Sequence, residues 1–139
     1  MSFHWITLAA AMAAPMAHTV SNVAASKVEE VPLSEIAAQL TKGTLSSETV
    51  TAAYLERIAA MDRKGPQLRA ILAINPDAIA QARASDARRK AGLTLGPLDG
   101  VPILIKDNIE TRDPVATTAG SLALRDNVSG RDAPVVALL

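Results

Sequence analysis

The chain has 139 residues, 49% of them hydrophobic and 20% charged, with fourteen basic and fourteen acidic side chains. That length suits one modest domain with its own core, and the cancelled charge leaves no net field to draw it to nucleic acid or to an anionic membrane. Cysteine is absent, which excludes a disulfide framework and thiolate chemistry and leaves the redox compartment open.

Residues 1 to 25 contain no Asp, Glu, Lys or Arg, and Lys27 is the first charge. Within them Ile6 to Ala17 is apolar apart from Thr7. The run is short of the roughly 20 residues a bilayer crossing takes, but it suits the apolar centre of a secretory leader, and Val23 and Ala25 supply the small residues that precede a cleavage before Ser26. The first five residues, MSFHW, lack the usual Lys or Arg. The expectation is a signal peptide over residues 1 to 25 and a periplasmic or secreted product, with an uncleaved, cytoplasmic chain as the alternative. Both histidines, His4 and His18, lie inside the leader, and the only aromatic residue after it is Tyr54. Residues 26 to 139 therefore hold no His or Cys zinc site and no Ser-His-Asp or Cys-His arrangement. A covalent hydrolase built from them needs another base, and lysine is the candidate.

The stretch LSEIAAQLTKG, 33 to 43, reads as a helix capped by Ser34 and stopped by Gly43, with Ile36, Ala37 and Leu40 as its apolar stripe. A second helix starts at Ser46, with Leu45 and Val50 placed as a hydrophobic staple. Val50, Ala53, Tyr54, Ile58 and Met61 recur at helical spacing as a packing stripe, and Gly65-Pro66 ends the helix. Leu68 to Ile74 reads as a strand. Asn75-Pro76 then opens a third helix that runs to about Lys90, with Gly92 as its stop. Arg83, Arg88, Arg89 and Lys90 on that helix read as a solvated face rather than a nucleic-acid patch. Asp77 and Asp86 accompany them, no aromatics interleave, and cations suit a helix C-terminus.

Gly96 to Gly100, GPLDG, is a turn, and Val101 to Lys106 reads as a strand covered on both faces. Val101, Ile103 and Ile105 share one face; Pro102, Leu104 and Lys106 share the other. Asp107 would cap the turn that follows. Residues 111 to 130 read as irregular, with one short turn of helix, and Asn127-Val128-Ser129 matches a glycosylation triplet of the kind common by chance. No phosphate-binding glycine loop and no internal repeat occurs. Asp132 with Ala133-Pro134 reads as a cap and first turn leading into Val135 to Leu139, where the chain stops after about two turns, an apolar end that suits the front part of a longer protein.

An apolar run that ends in a lysine has two readings. The ammonium of Lys106 can emerge into water at the strand end, or it can be placed there for chemistry. A free lysine is neutral in only about one molecule in 2,500 at pH 7, so a lysine base needs the desolvation that an apolar strand end can supply. Composition and spacing leave both readings open.

The segment GPLDGVPILIKDNIETRDPVATTAGSLAL, 96 to 124, resembles the amidase signature family, in which an apolar strand of the form GVPI-x-x-K-D-N delivers the lysine of a Ser-cis-Ser-Lys triad. LSSETVTAAYLERIAAMDRKGPQLRAILAINPDA, 45 to 78, is similar to the family's helical front end, and the resemblance covers roughly residues 31 to 139. It implies an α/β fold, a mixed sheet wrapped by helices, of which residues 26 to 139 are the incomplete N-terminal portion of the domain. It puts Lys106 in the place of the catalytic lysine and Ala119 to Ser121 in the place of a TxGS-like segment, with Ser121 as a residue that lines the substrate site. In the family the lysine, held neutral, takes a proton from the bridging serine. That serine activates the nucleophile, an acyl-enzyme forms, ammonia leaves and water releases the acid, while backbone N–H groups hold the oxyanion. Both serines belong to a downstream Gly/Ser-rich segment not present here; the one serine pair, Ser46-Ser47, reads as a helix cap. The resemblance therefore implies an inactive fragment of an amidase acting on a small amide or peptide amide, without metal or cofactor and without a nucleic-acid or membrane partner. TTAGSLAL and the leader are more similar to the peptide amidases than to a cytosolic glutamine-dependent amidotransferase, which is the second reading; a non-enzymatic interaction module is the third. Oligomeric state is not legible.

Overall fold

Gly43 stops the first helix where its sequence requires. In the computed structural model, which describes residues 31–139, α1 runs Leu33–Lys42 and Gly43 follows at φ 71°, a left-handed conformation that glycine adopts without a Cβ penalty. The N–H of Thr44 returns to the Gln39 carbonyl at 3.1 Å. The other end differs from expectation. Pro32, not Ser34, precedes the first turn, and its carbonyl accepts the N–H groups of Glu35 and Ile36 at 2.9 and 3.1 Å. Pro32 turns the chain with ψ 143°, so Ser34 already lies inside the helix and cannot cap it.

α2 spans Ser47–Ile58, and Ser46 Oγ accepts the Thr49 N–H at 3.0 Å, the cap its sequence predicts. Leu45 packs on the same cluster as Val50, as the staple requires. Past Ile58 the helix widens into a π-helical stretch, Ala59–Arg63, and leaves the helical path before Gly65 at φ 48°. α3 spans Ala78–Lys90. Asn75 Oδ1 accepts the Asp77 N–H at 2.9 Å just before it, and Gly92 closes it at φ 72° while the Leu93 N–H reaches the Arg88 carbonyl at 2.9 Å.

The core is small. Ile36 and Leu40 from α1 meet Val50 and Ala53 from α2, and Val31, Leu45, Tyr54 and Val101 pack around them. Each fully buried aliphatic side chain contributes about 1.5–3 kcal/mol. α3 lies against α2 through the small buried residues Ser47, Ala82 and Ser85.

The two expected strands are not formed, and no strand occurs among the described residues. Leu68 to Ile74 departs from extended geometry at once, with Arg69 at φ 51° after Gln67 at φ 52°. Asp62 Oδ1 instead accepts the Ala70 and Ile71 N–H groups at 2.5 and 3.2 Å, and the Arg63 guanidinium donates to the Ile71 carbonyl. Val101 to Lys106 runs without a partner, with Ile103 51% and Leu104 75% exposed. A strand is a ladder between two segments, and a run that is apolar on both faces needs cover on both. No described segment supplies either. What is seen of the expected α/β architecture is therefore its helical part.

After Lys106 the chain is loops tied across one another. The Thr117 N–H reaches the Asn127 carbonyl at 3.0 Å, Asn127 Nδ2 reaches back to the Thr117 carbonyl at 3.0 Å, and the Ala133 N–H reaches the Glu110 carbonyl at 2.9 Å. The expected short turn of helix is the 3₁₀ segment Leu122–Leu124, and α4, Pro134–Ala137, closes the chain. Asp132 does not cap α4, because its carboxylate accepts the Arg112 N–H and Nε at 2.7 and 2.6 Å. The leader expected over residues 1 to 25 lies outside the described residues. No helix among the described residues is long and apolar enough to cross a membrane.

Candidate active site

The segment that carries Lys106 is fixed at its root by a polar knot. Ser47 Oγ donates to the Gly100 carbonyl at 2.5 Å, and Gly100 sits at φ 90° so close to Ser47 and Ser85 that a Cβ there would run into both hydroxyls. Asp99, one residue earlier, is buried. Arg88 grips its carboxylate in a two-pronged ion pair, 2.6 and 3.2 Å, and the Leu95 N–H adds a third bond at 3.1 Å. The Arg88 hydrogen bonds hold the Asp99 carboxyl at about 2, against burial that pushes it upward. Arg89 donates to the Asp99 carbonyl and lies 3.6 Å from Asp86. Arg88 and Arg89 are thus not the solvated face their spacing suggests, since the turn folds back onto α3 and draws them inward. Arg83 stays at the surface and pairs with Glu48 at 2.7 Å.

From Gly100 the run crosses a broad, mostly apolar groove. Its walls include Tyr54 and Ile58 of α2, Ile71 and Leu72 of the loop after it, and Leu104 of the run itself. Lys106 lines the groove, is exposed, and has its ammonium in no hydrogen bond or ion pair among the described residues. Its carbonyl accepts the Ile109 N–H at 2.9 Å, so the chain reverses immediately after it.

Asp107 occupies that reversal. Its Oδ1 accepts the Thr118 N–H at 2.9 Å, and its Oδ2 accepts the Thr118 hydroxyl and the Gly120 N–H, the latter at 3.3 Å. The Asp107 carbonyl also accepts the Ala119 N–H at 3.0 Å. The Thr118 hydroxyl first, then the Thr118 N–H, keep the Asp107 carboxyl below the usual carboxylate range. Asp107 does cap a turn, but the turn is eleven residues downstream rather than its own. Ala119 and Gly120 take left-handed conformations, φ 49° and 77°, and both line the groove. Ser121 follows, exposed, with its N–H on the Thr118 carbonyl at 2.9 Å. The structure therefore gathers Lys106 and the Ala119–Gly120 turn on one groove, with Ser121 beside it. The role of Asp107 has no short-range pattern in the sequence that reveals it. Among the described residues no group of His, Cys, Asp and Glu side chains converges as metal ligands.

The family model for Amidase matches residues 49–139. The chain belongs to the amidase family. This amidase-family chain is 46% identical over 114 residues to a glutamyl-tRNA(Gln) amidotransferase polypeptide of Myxococcus xanthus, an alignment that takes in 81% of the chain and 23% of that protein. It is 48% identical to the peptide amidase of Stenotrophomonas maltophilia in its solved structure, with a TM-score of 0.70 over 76% of the chain and 21% of the enzyme. A peptide amidase in complex with the competitive inhibitor chymostatin superposes equally well, with a TM-score of 0.71 and 48% identity over the same shares, 76% and 21%. The amidase-family chain thus spans about a fifth of the length of these relatives.

Proposed function

We propose that this chain is the N-terminal portion of an exported amidase that hydrolyses a carboxamide, a peptide C-terminal amide foremost, with Lys106 as the base of a Ser-cis-Ser-Lys triad. The observation that carries the reading is the position of Lys106, an unpaired amine at the groove end of a run held at Gly100 and at Asp107. A lysine that is to accept a proton must not be tied up by a carboxylate, and the carboxylate next to it in the chain, Asp107, is spent on Thr118 and Gly120.

In this reading the two apolar runs, Leu68 to Ile74 and Val101 to Lys106, join the mixed sheet of the complete domain, whose later residues cover Leu104 and desolvate the amine. The uncharged Lys106 takes the proton of the bridging serine, that serine takes the proton of the nucleophilic serine, and the latter's oxygen attacks the amide carbon. The proton returns to the leaving nitrogen, ammonia departs, and water repeats the sequence on the acyl-enzyme. Ser121, next in the chain to the groove-lining Gly120, takes a place on the substrate side in this reading. In this reading the chain, which spans about a fifth of the length of its relatives, supplies the lysine of the triad, and both reacting serines belong to the part of the domain it does not span. Export rests on the apolar, uncharged residues 1 to 25. The high identity to the peptide amidase favours hydrolysis; the comparable identity to an amidotransferase polypeptide supports the second reading, ammonia handed to an acceptor rather than lost.

Lys106→Ala decides the role of the lysine. In the full-length protein, or in a chimera where residues 31–139 replace the matching stretch of the S. maltophilia peptide amidase, the variant is expected to fold normally and lose amide hydrolysis by at least about a hundredfold. Activity within about twofold of the parent would remove Lys106 from the mechanism.

A further inference from the structure

Between its two ends the lysine-bearing run makes no backbone hydrogen bond. The Val101 N–H bonds back to the Leu98 carbonyl at 2.9 Å, the Ile109 N–H donates to the Lys106 carbonyl at 2.9 Å, and among the described residues nothing binds the backbone from Pro102 to Ile105. The N-terminal end is secured by Ser47 on Gly100. The C-terminal end, next to Lys106, is secured by Asp107, through its two carboxylate oxygens and its carbonyl on three consecutive residues, Thr118, Ala119 and Gly120.

The turn that Asp107 grips is strained. Ala119 at φ 49° carries a steric penalty that glycine would not, and such conformations persist only where surrounding bonds over-determine them. The bonds that do so here come from Asp107, and the Thr118 hydroxyl helps by also accepting the Gly120 N–H at 3.1 Å.

We propose that Asp107 is the positioning residue of this site: by clamping the 118–120 turn it fixes the C-terminal end of the run that carries Lys106, and so fixes the direction from which the amine meets the bridging serine. The inference rests on the role given to Lys106 above. Asp107 itself touches no reacting atom; its donors are all supplied by the turn.

The test uses the full-length protein or the same chimera, with Asp107→Asn, Asp107→Ala and Thr118→Val beside Lys106→Ala. Asn keeps one acceptor oxygen and turns an NH₂ toward donors, while Val deletes the hydroxyl only. The expected order of kcat per titrated active site is parent, Thr118→Val, Asp107→Asn, Asp107→Ala. The Asp107 variants should fall by about tenfold to a hundredfold, with KM nearly unchanged and the rising limb of the pH–kcat/KM profile displaced. A purely structural role would lower the number of active sites and leave kcat per site and that limb where they were. That result, with Lys106→Ala inactive, overturns the positioning role and keeps the base; an active Lys106→Ala overturns the base itself, and the positioning role with it. If Asp107→Ala does not fold, Thr118→Val decides: a reduced kcat per site with faster exchange of the Ala119 and Gly120 amide protons supports the clamp, and parent-like values of both overturn it.

Discussion

A lone carboxylate buried as Asp99 is would be driven to protonate, since burial disfavours its charged form. Arg88, with Leu95 adding its N–H, reverses that balance and holds the carboxyl at about 2. The consequence for stability has a definite sign. The folded value lies below the ordinary carboxylate value of about 3.9, so the contribution is complete above about pH 4 and is lost as the pH falls toward 2. The described domain is expected to lose stability over that window, and Asp99→Asn should flatten the acid limb while lowering stability at neutral pH. Urea midpoints measured from pH 2 to 7 check this; parallel acid limbs in parent and variant would show that the ion pair with Arg88 is not the source. Lys106 teaches a different lesson at the level of single residues. Its candidacy was legible from the motif around it, whereas the partner that holds its backbone, Asp107, finds its ligands at Thr118 and Gly120, a separation to which no helical or strand period corresponds.

The helices show how far local chemistry reaches. Ser46, Gly43 and Gly92 act as their sequence context requires because capping involves only atoms within one turn. The N-terminus of α2 goes beyond that. Its Ser47 and Glu48 N–H groups donate to Asp86 of α3 at 2.7 and 3.1 Å, so the helix is capped both by its own Ser46 and by another element. Removing Ser46 Oγ should cost about 1 kcal/mol. Asp86→Ala strands two donors beside the buried Ser47 and should cost more, about 2–3 kcal/mol. Chemical denaturation of the two variants tests the ranking, and equal or reversed losses would mean that water replaces Asp86 at this helix end. The same return of distant segments explains why Arg88 and Arg89 of α3 are drawn inward: a helical spacing shows that they share a side, but not that a turn comes back to cover it.

Taken whole, the described domain leaves more large apolar side chains exposed than its core cluster buries. The core cluster has four buried members, Ile36, Leu40, Val50 and Ala53, while Leu72, Leu95, Leu104, Leu122 and Leu138 are each 70% exposed or more. Leu72 and Leu104 stand on the groove, a contiguous apolar surface of the kind that drives association. Residues 31–139 are expected to self-associate with rising concentration, and Leu72→Lys with Leu104→Lys should return the chain toward monomer. Sedimentation velocity over a hundredfold concentration range (about 1 to 100 μM) reads the outcome; a parent that stays monomeric throughout would mean that the groove closes on itself in solution.

Family membership, the helices with their stops, and the lysine at the end of an apolar run were all accessible from the order of residues, because each depends on neighbours within a few positions or on a contiguous motif. The strands were not, although their composition is right. Leu68 to Ile74 and Val101 to Lys106 have the apolar character of sheet segments, but a strand exists only with a partner and a cover, and composition cannot say whether the chain at hand provides them. The fastening of Gly100 by Ser47, of Asp99 by Arg88 and of the 118–120 turn by Asp107 belongs to tertiary structure for a related reason. A side-chain hydrogen bond is decided by distances of about 3 Å between atoms, and residues far apart in the chain reach that distance only after helices and turns have packed.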